Sequence, residues 1–392
     1  MFSHLLKLMW NKRRANSMIF LEIFLAFIVL FGVYAFIAYN LDRYSSPLGF
    51  SYENNISVGV DFQDDLDSLV VLQTQDRIRQ ELLAMPAVEA VSFIGPVTPF
   101  GGSTWQTGTD INGQLVRTQM MFVDDHFGET GEVTMTDGRW FTEDDVKSKY
   151  PPIVVNKQFK DLYFPSVTSL VDSIFDINGE HRVVGVTGDF KYAGNFAENV
   201  PLTFFPQVDR MRNNEPYEML ILRLRPGTKA EVEETIYDLL VDNTKNTGVV
   251  ISDMAQSRRR ANQVIVIPIV ILIIISAFLL INIALGLFGV LFTQINRRRA
   301  EIGLRKAMGA TRGEVTTQFV MEVLLVAGAG LLIGVFFAIQ VPLLEFTPIP
   351  SKFFYYGIVA ALLTILVIVT LCALIPSRQA AGLQPADVLH EG

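Results

Sequence analysis

Reactive side chains are scarce in this 392-residue sequence, which has four histidines and one cysteine. His126 and His181 lie far apart, and no H-E-x-x-H pair or cysteine cluster accompanies them, so a zinc site is not expected. The acidic run DFQDDLD (61–67) resembles a calcium loop in composition only. Leu66 stands where such a loop needs glycine, and Leu72 where it needs a bidentate glutamate. The run reads as the solvated start of a helix. Neither a G-x-S-x-G elbow nor a G-x-x-x-x-G-K-[ST] phosphate loop occurs, so these residues encode no serine nucleophile and no nucleotide cradle. No catalytic, cofactor-binding or metal-binding residue is expected, and any ATP-driven action must draw its ATPase from elsewhere.

The residues with the most patterned chemistry are RRRAEIGLRKAMGATRGEV (297–315), set between two very apolar runs. On a helix Ala300, Leu304, Ala307 and Met308 share one side, while Arg298, Glu301 and Arg305 share another, with Glu301 and Arg305 forming an i,i+4 pair. Gly309 supplies the left-handed residue that ends a helix. Thr311 and Glu314 form a capping box for the next one. The strip therefore reads as a short amphipathic helix, a tight turn and a restart. Basic residues that merely set membrane orientation would explain its charge, but not its capped apolar face.

The flanking elements are membrane spans. Half the residues are hydrophobic and 18% are charged. The apolar residues gather at 18–39, 264–292, 317–344 and 353–375, each long enough to cross a hydrocarbon layer of about 30 Å. The first run is too long for a signal-peptide core and has no small-x-small cleavage site, so it is expected to be retained. Before it, Phe2, Leu5, Leu6 and Met9 recur at helical spacing beside Trp10, which suggests an interfacial helix. Within the spans, Asn282 has a bonding partner either across a dimer seam or on its own helix. Glu322 is costly in a span and is expected to hydrogen-bond near the cytoplasmic interface in a packing role. Gly330 and Gly334 form a G-x-x-x-G pattern suited to close helix contact.

The net charge of −8 combines an acidic segment, 41–257, with a basic remainder. Lys and Arg beside the first run and in the 297–312 strip place both on the cytoplasmic side, with both termini inside and the large segment outside. Arg258, Arg259 and Arg260 precede the second run on the opposite side. That run would be about 43 Å long as a helix, so it is expected to continue outward as a stalk. The expected organisation is 1–16 interfacial helix, 17–40 first span, 41–257 external domain, 258–296 stalk and second span, 297–314 helix and turn, 315–345 third span, 353–375 fourth span, and 376–392 cytoplasmic segment.

In the external domain ISVGV (56–60) and VEAVSFIG (88–95) read as strands around an amphipathic helix, 66–85, that Pro86 stops. Leu69, Leu72, Ile78 and Leu82 lie near one face of it. Residues 99–114 have the glycine and threonine content of a hairpin or loop. TQMMFV, PPIVV and HRVVGVTGDF add strands, and 228–244 a second helix capped by Thr228, with Glu231 three residues on. The domain is mixed α+β, of two lobes. It carries no disulfide, because Cys372 lies in the fourth span. The fold class is thus a membrane protein of four transmembrane helices with a large α+β extracytoplasmic domain between the first and second.

Here a resemblance enters. EIGLRKAMGATRGEV followed by an apolar, glycine-rich span resembles the hallmark of the MacB/FtsX-type permeases of ABC transporters. PSRQAAGLQPADVL (376–389) is similar to that family's closing segment, an Ala-rich turn before a Pro-led helix. FVDDHFGETGEVTMTDGRWFTEDD, PPIVVNKQF and HRVVGVTGDF resemble its extracytoplasmic core in order and spacing, while SVTSLVDSIFDINGE departs from the expected glycine-rich turn. The resemblance implies that 298–309 is a coupling helix docking on a separate ABC ATPase through Arg298, Glu301, Ile302, Leu304, Arg305, Lys306, Met308 and Gly309. It implies two permease chains and two ATPase chains, with ATP and Mg on the partner and no cofactor here. It places the protein in the bacterial inner membrane among lipids, and no nucleic acid is expected. The implied activity is efflux, or extraction of a substrate outside the membrane, with a periplasmic adaptor or lipoprotein carrier as the outer partner. The alternative is an FtsX-like regulator that activates an external cell-wall hydrolase.

Overall fold

The computed structural model describes residues 13–60, 62, 68–111, 113–206, 219–345 and 347–382. The expected interfacial helix therefore lies almost wholly outside the described residues, as do most of the DFQDDLD run and the last ten residues. The chain divides into a helical unit, residues 1–42 and 266–392, and a sheet-bearing unit, residues 43–265.

Four helices, Arg13–Ser45, Met254–Arg297, Arg312–Leu343 and Ser351–Gly382, are long and apolar enough to cross a membrane. Each buries a stripe at i,i+4 spacing: Ile23 and Phe27 on the first, Ile283, Leu287 and Leu291 on the second, Ala327 and Leu331 on the third, Ala361, Ile365 and Val369 on the fourth. Many of the other apolar side chains on these helices face outward, as lipid solvation permits. The second helix begins ten residues before its apolar run, so Arg258, Arg259 and Arg260 lie on it. The fourth continues through Pro376 to Gly382, where the closing segment was expected to turn.

The strands of the other unit are β1 Asn55–Gly59, β2 Val88–Ile94, β3 Gln106–Ile111, β4 Gln114–Val123, β5 Met135–Gly138, β6 Pro152–Asn156, β7 Ile174–Asp176, β8 Glu180–Thr187, β9 Leu202–Pro206, β10 Met219–Leu224 and β11 Val250–Asp253. Among the described residues they form one sheet ordered β11-β1-β10-β2-β4-β9-β6-β8-β5, with β3 added to β4 and β7 to β8. The unit expected around 56–95 is a split one. β10 lies between β1 and β2 and is antiparallel to both, with Val58 opposite Leu220 and Ser92 opposite Ile221. Helices Ser68–Leu83 and Lys229–Thr244 cover this half, burying Ile78, Leu82, Ile236 and Leu240 against Ile56, Phe93 and Leu222.

Two sequence expectations need correction here. The buried stripe of the first of these helices is Val71, Gln75, Ile78 and Leu82, whereas Leu69 is 66% exposed. Thr228 holds the N-cap position of the second, but its hydroxyl donates back to the Arg225 carbonyl at 2.7 Å and caps nothing. The other half centres on β9, buried at all five residues because it has strands on both sides and packing on both faces. Phe127, Phe141, Phe190 and Phe204 fill one side. The 99–114 stretch forms the β3–β4 hairpin, with Gly113 at φ +81° in its turn. The divergent 166–180 segment forms the β7–β8 hairpin through Asn178 and Gly179, both at positive φ.

Candidate functional site

The strip between the second and third spans folds into a nine-residue helix, Arg299–Ala307. Its end is a full Schellman motif. Gly309 N donates to Lys306 O at 3.0 Å and Ala310 N to Arg305 O at 3.0 Å, with Gly309 at φ +100°. The next helix starts at once. Thr311 N donates to Glu314 Oε2 at 2.8 Å, and Glu314 N donates to Thr311 Oγ1 at 3.3 Å. With the facing helix ends satisfied and only Gly309 and Ala310 between the caps, the elbow has little conformational freedom.

Its inner side is anchored by apolar packing and by polar bonds. Ile302, only 3% exposed, packs with Ile295, Val315, Phe319 and Ala381. A polar chain runs beside this contact. Arg298 Nη1 donates to Glu322 Oε2 at 3.1 Å and Oε1 at 3.2 Å, and Gln318 Nε2 donates to Glu322 Oε1 at 3.2 Å. Arg305 donates to Gln318 Oε1 at 2.6 Å and to Glu301 Oε1 at 2.5 Å. Lys306 Nζ reaches the Ala381 carbonyl at 2.8 Å, tying the elbow to the end of the fourth helix. The opposite side is bare: Leu304 is 59% and Met308 73% exposed, with Ala300 and Ala307 exposed beside them.

The predicted residues thus divide by direction. Leu304 and Met308 face outward, whereas Ile302 and Arg298, assigned with them to docking, turn inward and hold the elbow in place. Glu322 is the acceptor at the centre of the polar chain. Asn282 donates to Phe278 O on its own helix at 2.9 Å. Gly330 and Gly334 face the first span. A Cβ there would lie 3.1 Å from Phe20 O or 2.4 Å from Phe27 Cδ1. Gln318 went unnoticed in the sequence, although its i−4 spacing to Glu322 was legible. Gly357 also went unnoticed; a Cβ on it would lie 2.7 Å from Phe31 O and 2.9 Å from Ala35 N.

His181 Nδ1 donates to Gly179 O at 2.8 Å and its ring meets Phe205 edge-on, while His126 lies beside Asp125 at 3.7 Å. Among the described residues no group of three His, Cys, Asp or Glu could hold a metal ion. The elbow offers recognition, with an apolar outer face and a charged rim.

The MacB-like periplasmic core domain model matches residues 23–238, and the FtsX-like permease C-terminal model matches 273–385. Macrolide export ATP-binding/permease protein MacB 1 of Yersinia pestis bv. Antiqua (strain Antiqua) is 24% identical over 345 residues, covering 86% of this chain and 51% of that protein. The chain thus spans about half the length of its MacB relatives. Uncharacterized ABC transporter permease YvrN of Bacillus subtilis (strain 168) is 26% identical over 298 residues, 69% of this chain and 70% of that one. The crystal structure of the periplasmic region of MacB from Actinobacillus actinomycetemcomitans aligns with a TM-score of 0.39 at 12% identity, over 53% of this chain and 92% of that one. With one family model matching more than half its length, the chain belongs to the MacB/FtsX-type permease family of ABC transporters, as an inner-membrane protein with an extracytoplasmic domain.

Proposed function

We propose that this permease converts ATP binding and hydrolysis by an ATPase outside these residues into motion of its extracytoplasmic domain, driving efflux or extraction of a substrate beyond the inner membrane. The single observation carrying this reading is the elbow's outer face. Leu304 and Met308 stand in the open on a helix pinned from behind by Ile302 and Arg298. An apolar face on a rigid, charged helix suits a groove on a partner protein, because burial rewards the face and the pinned helix loses little entropy on docking. In this reading the elbow faces the cytoplasm, ATP and Mg sit on the ATPase, and two permease chains act together. A periplasmic adaptor or lipoprotein carrier takes part outside.

The test is affinity purification of the detergent-solubilised chain followed by identification of what accompanies it. An ABC ATPase should co-purify, and the chain freed of it should show no ATP hydrolysis above background. Orientation is checked with single cysteines at Gly102 and Gly313, where a Cβ meets nothing within 4 Å. An impermeant maleimide should label the first in spheroplasts and the second only after lysis. Labelling of both from outside would overturn the orientation.

A further inference from the structure

The loop Asp189–Asn199 belongs to no helix or strand, yet it holds buried polar groups. Lys191 is 3% exposed, and each proton of its ammonium has an acceptor: Arg43 O at 2.6 Å, Ser46 Oγ at 2.6 Å and Asn195 O at 3.2 Å. Arg43 lies in the last turn of helix Arg13–Ser45, where free carbonyls and the negative end of the helix dipole favour a cation. A second tie lies beside it, from Arg43 Nη2 to Glu198 Oε1 at 2.6 Å.

The same loop grips the other membrane-rooted helix. Asn262, on helix Met254–Arg297, accepts from Asn195 N at 3.0 Å and donates to Asn195 Oδ1 at 2.9 Å. Gly194 sits between at φ +121°, where a Cβ would lie 3.0 Å from Asn262 Oδ1 and 3.6 Å from Ala261 Cβ. On the far side, Asp189 O fills the space a Cβ on Gly49 would occupy. All of these residues belong to the sheet-bearing unit, into which both helices run. One loop without regular structure is therefore shaped by bonds to the last turn of one helix and an early turn of the other.

We infer that Asp189–Asn199 is a joint that ties together the two helix ends lying within the sheet-bearing unit, around Arg43 and Asn262, with Lys191 and Asn262 as its positioning residues. The joint itself stands on this geometry. That it carries ATP-driven motion rests on the permease reading above. A buried ammonium with three protein acceptors suits such a joint, since sliding the first helix would strip it of two partners that no water replaces, and sliding the second would break the Asn262–Asn195 bonds.

The test uses the full chain in lipid nanodiscs. In Lys191→Met, amide hydrogen exchange in 43–50 and 189–199 should rise tenfold or more, while β6, β8 and β9 stay as in the native protein. Unchanged exchange overturns the joint. So does an equal rise across the sheet, which would make Lys191 a residue of general stability. A second variant combines Asn262→Ala with Gly194→Cys, Ala261→Cys and Cys372→Ala, since the 3.6 Å separation suits a disulfide. Oxidation should return exchange in 189–199 to within twofold of native, scored against the reduced form of the same variant. A bond that fails to form, or forms without restoring protection, counts against the joint.

With the ATPase present, spin labels at Gly102→Cys of two copies should report an ATP-dependent distance change. Lys191→Met should halve that change or worse while ATPase binding persists; an undiminished change would deny the joint its part in the motion. If the native protein shows no such change, the permease reading fails, and the exchange experiment still judges the joint.

Discussion

Arg298 Nη1 stands 3.1 Å from Glu322 Oε2 across 24 residues of sequence, and the two side chains are 13% and 14% exposed. The pair joins the start of the elbow helix to the third span, so the elbow cannot swing without unpairing a largely buried charge. Removing one partner leaves the other mostly buried and unpaired, a loss of about 1.5–3 kcal/mol for a hydrogen bond to a charged group. Glu322→Ala and Arg298→Ala should each lower the thermal stability of the solubilised protein. The double variant Arg298→Ala/Glu322→Ala should cost less than their sum. Strict additivity in this cycle would mean the pair does not couple.

Direction on the elbow helix separates two apolar residues. Leu304→Asp should leave melting unchanged and reduce ATPase capture tenfold or more, because the charge would be buried only on docking. Ile302→Asp should instead destabilise the protein before any partner is added, since it places a carboxylate among Val315, Phe319 and Ala381. Gly309→Val should lose capture by a third route. A β-branched residue at φ +100° costs at least about 1–2 kcal/mol, which re-aims the helix. Capture measured alongside abundance and melting checks all three, and normal capture by Leu304→Asp would leave the strip as an orientation signal only.

Close helix contact makes Gly357 intolerant. A single added methyl meets backbone on the first span, which cannot rotate away as a side chain can. Gly357→Ala should lower stability by about 1–3 kcal/mol, the range for overpacking. Gly328→Ala, with open space at its Cβ, should be neutral. Detergent titration monitored by circular dichroism distinguishes them, and equal behaviour of the two would contradict the packing.

Acid should weaken the extracytoplasmic domain through Asp145. Its carboxylate accepts from Arg139 Nη1 and Nη2 at 2.6 and 2.7 Å and from Thr142 N and Oγ1 at 2.9 Å. The Arg139 hydrogen bonds, with Thr142 aiding, hold the carboxyl well below the usual range against the opposing pull of burial. A folded pKa below the unfolded one stabilises fully above the unfolded value, about 3.9, and loses that contribution as pH falls toward the folded value. Asp145→Asn should therefore melt below wild type by a constant margin at pH 5–7, and the margin should narrow below about pH 4. A margin independent of pH down to 3 would rule out this linkage.

Local sequence relations were enough for the spans, the Thr311–Glu314 capping box, the Gly309 stop and the elbow helix, because each depends on neighbours within about four residues. The inward stripe of helix Ser68–Leu83 was harder to read, since Leu69 and Val71 are equally apolar and only the sheet beneath selects between them. Ile302 and Leu304 pose the same problem. Both suit a buried face, and the choice was made by Val315, Phe319 and Ala381 arriving from other helices. Long-range pairing placed β10 between β1 and β2, although well over a hundred residues separate it from either. Nothing near Lys191 in sequence marks it for burial, since its acceptors include Arg43 and Ser46, nearly 150 residues away. The sequence by itself determined which segments form the spans and where the two helices of the elbow meet, through periodic hydrophobicity and short-range hydrogen bonding. Only the tertiary structure decided which faces are covered and which charges are buried, because desolvation depends on atoms that sequence distance does not bring together.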